Sequence, residues 1–166
     1  MKTLRLAAVA SLLAAAFCNS AFAKEPTAKQ KALFAKFEKL MTNVKLVGKY
    51  TIVGKPVDKL PTEEYTIVSA KKLKAGDKWL LQARIKFATY DLTVPLQLDI
   101  KWAGDTPMIT LTDFTIPGLG TFSARVLFNK NKYAGTWTHG KVGGHMFGVL
   151  KAGKKAAKKA AKKTKK

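Results

Sequence analysis

The residues that could do chemistry are few. The chain has two histidines, His139 and His145, six positions apart. Two imidazoles without a third ligand make a poor metal site, so they read as a turn histidine and a surface histidine, and no metal or cofactor is implied. There is no His-Glu-x-x-His, no Gly-x-Ser-x-Gly and no glycine-rich phosphate loop. Among the carboxylates, Asp113 stands out. If Pro117 to Gly120 forms a four-residue loop, Phe114 comes near Ser123 and Asp113 lies opposite Ala124, on the face shared by Phe122 and Val126. A carboxylate facing an apolar lumen has a raised pKa or a bonded partner, and such a group can act as a general acid or base or orient a ligand. A register shift of one, or a capping role at the strand end, removes that reading. Asp113 with Tyr133 or His145 is the catalytic set this sequence offers. Glu63-Glu64 reads as the solvated end of a loop.

Trp79, Trp102, Phe128, Tyr133 and Trp137 fall on faces expected to point inward. They fit the lining of a small apolar-ligand site and equally a packed aromatic core.

These side chains need a scaffold, and the hairpin from Phe128 to Leu150 is its clearest part. Asn129-Lys130-Asn131 is a turn signal. Gly140-Lys141 fits a two-residue type II′ turn, which wants glycine first. That turn pairs His139 with Val142, Trp137 with Gly144, Gly135 with Met146 and Tyr133 with Gly148, each large side chain meeting a small one. His145 then points away from the Trp137 face.

Upstream, Lys24 to Asn43 reads as a helix. Thr27 and Gln30 have capping-box spacing, and Leu33, Phe34, Phe37, Leu40 and Met41 share one face. The opposite face carries Lys29, Lys31, Lys36 and Lys39. Such a helix covers a sheet face or plugs a barrel end, or lies on a membrane surface. From Val44 the period becomes two, with strands expected at Val44–Val53, Tyr65–Leu73, Trp79–Phe87, Val94–Trp102, Met108–Ile116 and Phe122–Phe128 before the final hairpin. About eight strands with a turn every 8–15 residues form an antiparallel up-and-down meander. It closes into a barrel or strongly curved sheet; an open sheet covered by the helix is the alternative.

Met1 to Ala23 reads as a secretion signal, with Lys2 and Arg5, an apolar run from Leu6 to Phe17, and an Ala21-Phe22-Ala23 cleavage site. Cys18 raises a lipoprotein alternative, although Phe17 stands where that processing wants a small residue. Cleavage after Ala23 removes the only cysteine and leaves 143 residues, one domain (24–150) and a tail (151–166). No second apolar run is long enough to span a membrane as a helix. The expected location is periplasmic or extracellular.

Charge is unevenly placed. The chain has 31 basic and 10 acidic residues, and nine of the lysines lie in the last sixteen positions. Lys151, Lys154, Lys155, Lys158, Lys159, Lys162, Lys163, Lys165 and Lys166 alternate with alanine pairs and have no apolar face, so the segment is expected to be disordered until an anion neutralises it. Its accessible partners are anionic envelope polymers, lipid headgroups or extracellular nucleic acid, bound without sequence preference and sensitively to salt. A solubilising tail without a partner is the alternative.

At KWAGDTP (Lys101–Pro107), LTDFTIPGLGTFSARVLF (Leu111–Phe128) and YAGTWTHGKVGGHMFG (Tyr133–Gly148) the chain resembles a group of predicted secreted bacterial proteins of unassigned function. The resemblance implies export and a shared fold, and no activity. The leader, Gly48-Lys49-Tyr50 and the strand count are also loosely similar to lipocalin-like barrels, without the early Gly-x-Trp of that group. The sequence is therefore read as an exported, non-enzymatic β-barrel-like binding or structural module with a cationic tail. A small-molecule enzyme or a carrier of a lipophilic ligand, using the barrel interior, is the alternative.

Overall fold

The computed structural model describes residues 25–87 and 90–153. The expected leader, with Cys18 and the Ala23 cleavage site, lies outside the described residues, as do Lys154 to Lys166. A helix, α1 (Ala28–Leu40), precedes eight strands: β1 (Val44–Tyr50), β2 (Thr62–Lys72), β3 (Lys78–Phe87), β4 (Tyr90–Ala103), β5 (Thr106–Ile116), β6 (Gly120–Asn129), β7 (Lys132–His139) and β8 (Val142–Ala152). Each strand pairs antiparallel with the next, and β8 returns to β1 to close a barrel. The chain is mainly β, as the two-residue periodicity requires.

That alternation sorts the side chains. Val44, Leu46, Trp79, Leu81, Ala83, Leu98, Ile100, Val126 and Phe128 turn inward and are buried. Outward positions carry exposed charge pairs: Arg84 grips Asp91 through two bonds of 2.5 and 2.6 Å, Lys101 meets Asp77 at 2.6 Å, and Lys78 meets Asp99 at 2.9 Å. Being solvated, each of these adds little stability. Among the described residues no helix is long and apolar enough to cross a membrane.

The helix starts on the expected capping box: Thr27 Oγ1 accepts from the Gln30 amide, and Gln30 Oε1 accepts from the Thr27 amide. It then plugs one end of the barrel. The Phe37 ring meets Trp79 edge-on at 5.1 Å and also contacts Trp102 and Phe128, while Phe34 meets Trp79 at 5.7 Å. Glu38 Oε1 accepts from the Lys72 amide at 2.8 Å and fastens the helix to the end of β2. At this end Trp79, Ile100, Met41 and Phe37 are at most 2% exposed.

The wall is uneven. The β4–β5 ladder runs only from Asp99↔Thr110 to Ala103↔Thr106, at the helix end. Beyond it, Tyr90–Leu98 of β4 pairs with β3, and Leu111–Ile116 of β5 pairs with β6, with no ladder between the two among the described residues. The barrel is thus sealed at one end and forked between β4 and β5 toward the other. Pro95, which has no amide to donate, lies on the forked part of β4, where such a residue is tolerated.

The final hairpin has the expected register, including Trp137↔Gly144 and Tyr133↔Gly148. Gly140 takes φ +58° at the first turn position, as a type II′ turn requires. In the preceding turn the positive φ falls on Lys130 (+56°), not on either flanking asparagine.

Candidate functional site

The site grows from four residues in one cross-strand row. Tyr133 on β7 pairs with Gly148 on β8, Gly148 with Gly48 on β1, and Gly48 with Glu63 on β2. Three strand spacings separate the outer two, at most about 14 Å. A tyrosine and a glutamate can bridge that gap only if nothing stands between them, and both intervening residues are glycine. A Cβ on Gly148 would lie 2.8 Å from the Tyr133 ring, and one on Gly48 would press on the Tyr133 hydroxyl and the Phe147 carbonyl. Through this slot the Tyr133 hydroxyl donates to Glu63 Oε1 at 2.7 Å. Tyr65, two residues along β2 and on the same face, donates to Glu63 Oε2 at 3.3 Å.

Glu63 is 8% exposed, the one buried carboxylate among the described residues. Burial pushes its pKa above 4.5, and the two tyrosine hydroxyls pull it part of the way back. Burial and the neighbouring carboxylate push both Tyr65 and Tyr133 well above the usual phenol range, so they remain donors. No cation pairs with Glu63 among the described residues. The expectation that Glu63-Glu64 solvates a loop is corrected. Both belong to β2, Glu63 inward and Glu64 outward against Lys45. Extending the Tyr65–Ile67 alternation two residues back would have placed Glu63 on the inner face.

The wall holding this carboxylate faces the fork. On the way lie Leu92, Val94 and Leu96 of β4, Leu111 and Phe114 of β5, and Ala124 of β6, all inward and all only part-buried. Tyr50, at the end of β1, meets the Trp137 ring edge-on at 5.7 Å, and both are part-buried as well.

The five expected ligand-lining residues divide between the two ends. Trp79, Trp102 and Phe128 belong to the sealed end against α1, whereas Trp137 stands in the open half. Tyr133 lies between, at 6.3 Å from Phe128 and bonded to Glu63. The indole N–H groups of Trp79, Trp102 and Trp137 are buried without a protein partner.

Asp113 is not in the lumen. The loop before β6 is one residue shorter than expected, with Ile116 paired to Gly120, and a bulge places Thr112 and Asp113 together opposite Ser123. Asp113 is exposed at φ +47°, its amide donating to Ser123 Oγ at 2.9 Å and its carboxylate accepting from that hydroxyl at 3.0 Å. Arg125 holds the bulge by donating to the Leu111 carbonyl at 2.6 Å. Leu111, not Asp113, faces Ala124.

His145 is exposed on the outside, its Nδ1 3.1 Å from Thr51 Oγ1, and His139 stacks on Phe122 at 4.3 Å. Asp113, Tyr133 and His145 are therefore not brought together. Among the described residues no three His, Cys, Asp or Glu side chains are placed to hold a metal ion.

A concavity of about 730 Å³ lies between α1 and the barrel rim. Its floor includes Leu33, Leu40, Trp102 and Leu150, and Lys36, Lys39, Lys130 and Lys151 surround it. Of the nine expected anion-binding lysines, Lys151 is described and is exposed here. Comparison with protein-family models, curated proteins and solved structures finds no match to this chain.

Proposed function

We propose that this chain is an exported, non-catalytic binding module whose barrel takes a small apolar ligand through the fork between β4 and β5. One observation carries the reading. At the helix end Leu98 and Ile100 of β4 are buried, whereas Leu92, Val94 and Leu96 of β4 and Leu111 and Phe114 of β5, beyond the β4–β5 ladder, remain part-exposed although they face the interior. A filled barrel buries both halves; an interior left accessible at one end has room for a guest. The scatter of Asp113, Tyr133 and His145 favours binding over catalysis. The likeness to secreted bacterial proteins and to lipocalin-like barrels belongs to the same reading, as does export.

A second activity is association with anionic surfaces or polymers. The lysines around the α1 groove favour it, because they lie at the barrel end from which the lysine-rich C-terminal segment departs.

The test of the first reading is titration with the neutral fluorophore N-phenyl-1-naphthylamine. Wild type should show saturable enhancement at one probe per chain. Ala124→Phe, which fills the open half beside Leu111 and Trp137, should abolish it while retaining a cooperative melt. Absence of enhancement in wild type, or equal enhancement in the folded variant, would remove the interior as a binding site.

A further inference from the structure

We propose that the interior selects ligands bearing an organic ammonium group, held by the Glu63 carboxylate and the aromatic rings of Tyr50, Tyr65 and Trp137. The proposal rests on the ligand-binding reading and names the chemistry of that site. A buried carboxylate without a countercharge is costly unless hydrogen bonds or a cation offset it. Glu63 has two tyrosine donors and no cation, so acceptor capacity remains on an anion that accommodates about four hydrogen bonds.

The surroundings are aromatic. Tyr65 touches the carboxylate, Tyr50 joins the start of β2 by donating its amide to the Pro61 carbonyl at 3.2 Å, and Trp137 stands edge-on to Tyr50. Aromatic faces attract ammonium ions, and more strongly where water is excluded. The inward positions of the open half otherwise carry aliphatic or aromatic side chains and, at the rim, His139 stacked on Phe122, with no lysine or arginine among the described residues. The lysines lie on the outer face, where salt screens them beyond about 8 Å. An amphiphile entering through the fork would lay its tail along Leu92, Val94 and Leu111 and bring its head to the far wall, where Glu63 stands.

Decyltrimethylammonium, decanol and decyl sulfate, each below its micelle threshold, should be compared by displacement of N-phenyl-1-naphthylamine, so that binding to surface lysines is not counted. The ammonium ligand should displace at least tenfold more effectively than the alcohol, and the sulfate less effectively than either. Glu63→Gln, which keeps the size and an acceptor oxygen for one of the two tyrosine hydroxyls while removing the charge, should bring the ammonium ligand to the level of the alcohol. Should Glu63→Gln not fold, Tyr50→Leu and Trp137→Leu decide, each expected to lower the ammonium-to-alcohol ratio severalfold. Equal displacement by alcohol and ammonium, or a ratio untouched by these substitutions, overturns ammonium selection while leaving interior binding intact. Failure of N-phenyl-1-naphthylamine itself to bind overturns both.

Discussion

Gly48→Ala should be far more damaging than an alanine in a strand normally is, because of what lies across the barrel. The new methyl would meet the Tyr133 hydroxyl and the Phe147 carbonyl at distances real Cβ atoms do not adopt. The carbonyl is backbone and cannot rotate away, so an overpacking cost of about 1–3 kcal/mol is expected. Displacing the hydroxyl breaks its 2.7 Å bond to Glu63, and losing a hydrogen bond to a charged group adds about 1.5–3 kcal/mol. Together these give about 3–5 kcal/mol, or a fall in Tm of roughly 10–20 °C for a domain of this size. Urea denaturation followed by tryptophan fluorescence measures it. The decisive comparison is the double mutant with Tyr133→Phe. Removing the hydroxyl deletes one of the two contacts that the methyl offends, and the bond that it breaks, and leaves the clash with the Phe147 carbonyl. The double mutant should therefore be more stable than the sum of the singles allows, by at least about 1 kcal/mol. Additivity within about 0.5 kcal/mol would refute the glycine-slot argument.

Gly144→Val should cost about 1–3 kcal/mol or more by overpacking. Its new Cβ meets the Thr51 carbonyl, so the Thr51 and Val53 bonds to β8 should show faster amide exchange. Phe37→Ala should cost about 3–5 kcal/mol, since that ring is 2% exposed against Trp79, Trp102 and Phe128; calorimetry reads the loss. Glu63 has a raised folded pKa, so its proton adds stability that is complete below about pH 4.5 and is lost as pH rises through the folded value. The Tm of Glu63→Gln relative to wild type should therefore rise with pH across that window, and a flat difference would count against the burial of this carboxylate. Deleting 154–166 should leave Tm unchanged and make the salt dependence of heparin or DNA binding markedly shallower.

The sequence made some of this legible and hid the rest for identifiable reasons. The register of the final hairpin followed from Gly140-Lys141 and from glycines facing Trp137 and Tyr133, because a two-residue turn leaves one pairing. Its packing did not follow. Gly144 is small because the Thr51 carbonyl presses on it, not because of the indole opposite, and Thr51 is 93 residues away in the chain. Asp113 went astray because one residue fewer in the loop and one bulge each shift a strand's facing, and a bulge leaves little trace in an alternating pattern. Glu63 was hidden by Pro61 and Glu64, which make that stretch resemble a loop. Its partner Tyr133 comes beside it only once β8 closes on β1. The fork was not visible either, because alternation assigns inward faces without saying how far two strands stay paired.

The most direct test of the central claim is a methyl NMR titration of the Leu, Val and Ile-labelled protein with N-phenyl-1-naphthylamine. The account predicts saturable shifts at Leu92, Val94 and Leu111, beside the fork, and little change at Leu81 and Ile100 in the sealed half. Shifts confined to Leu33, Leu40 and Leu150 would place the probe in the α1 groove, and they would contradict the claim that the barrel interior is the binding site.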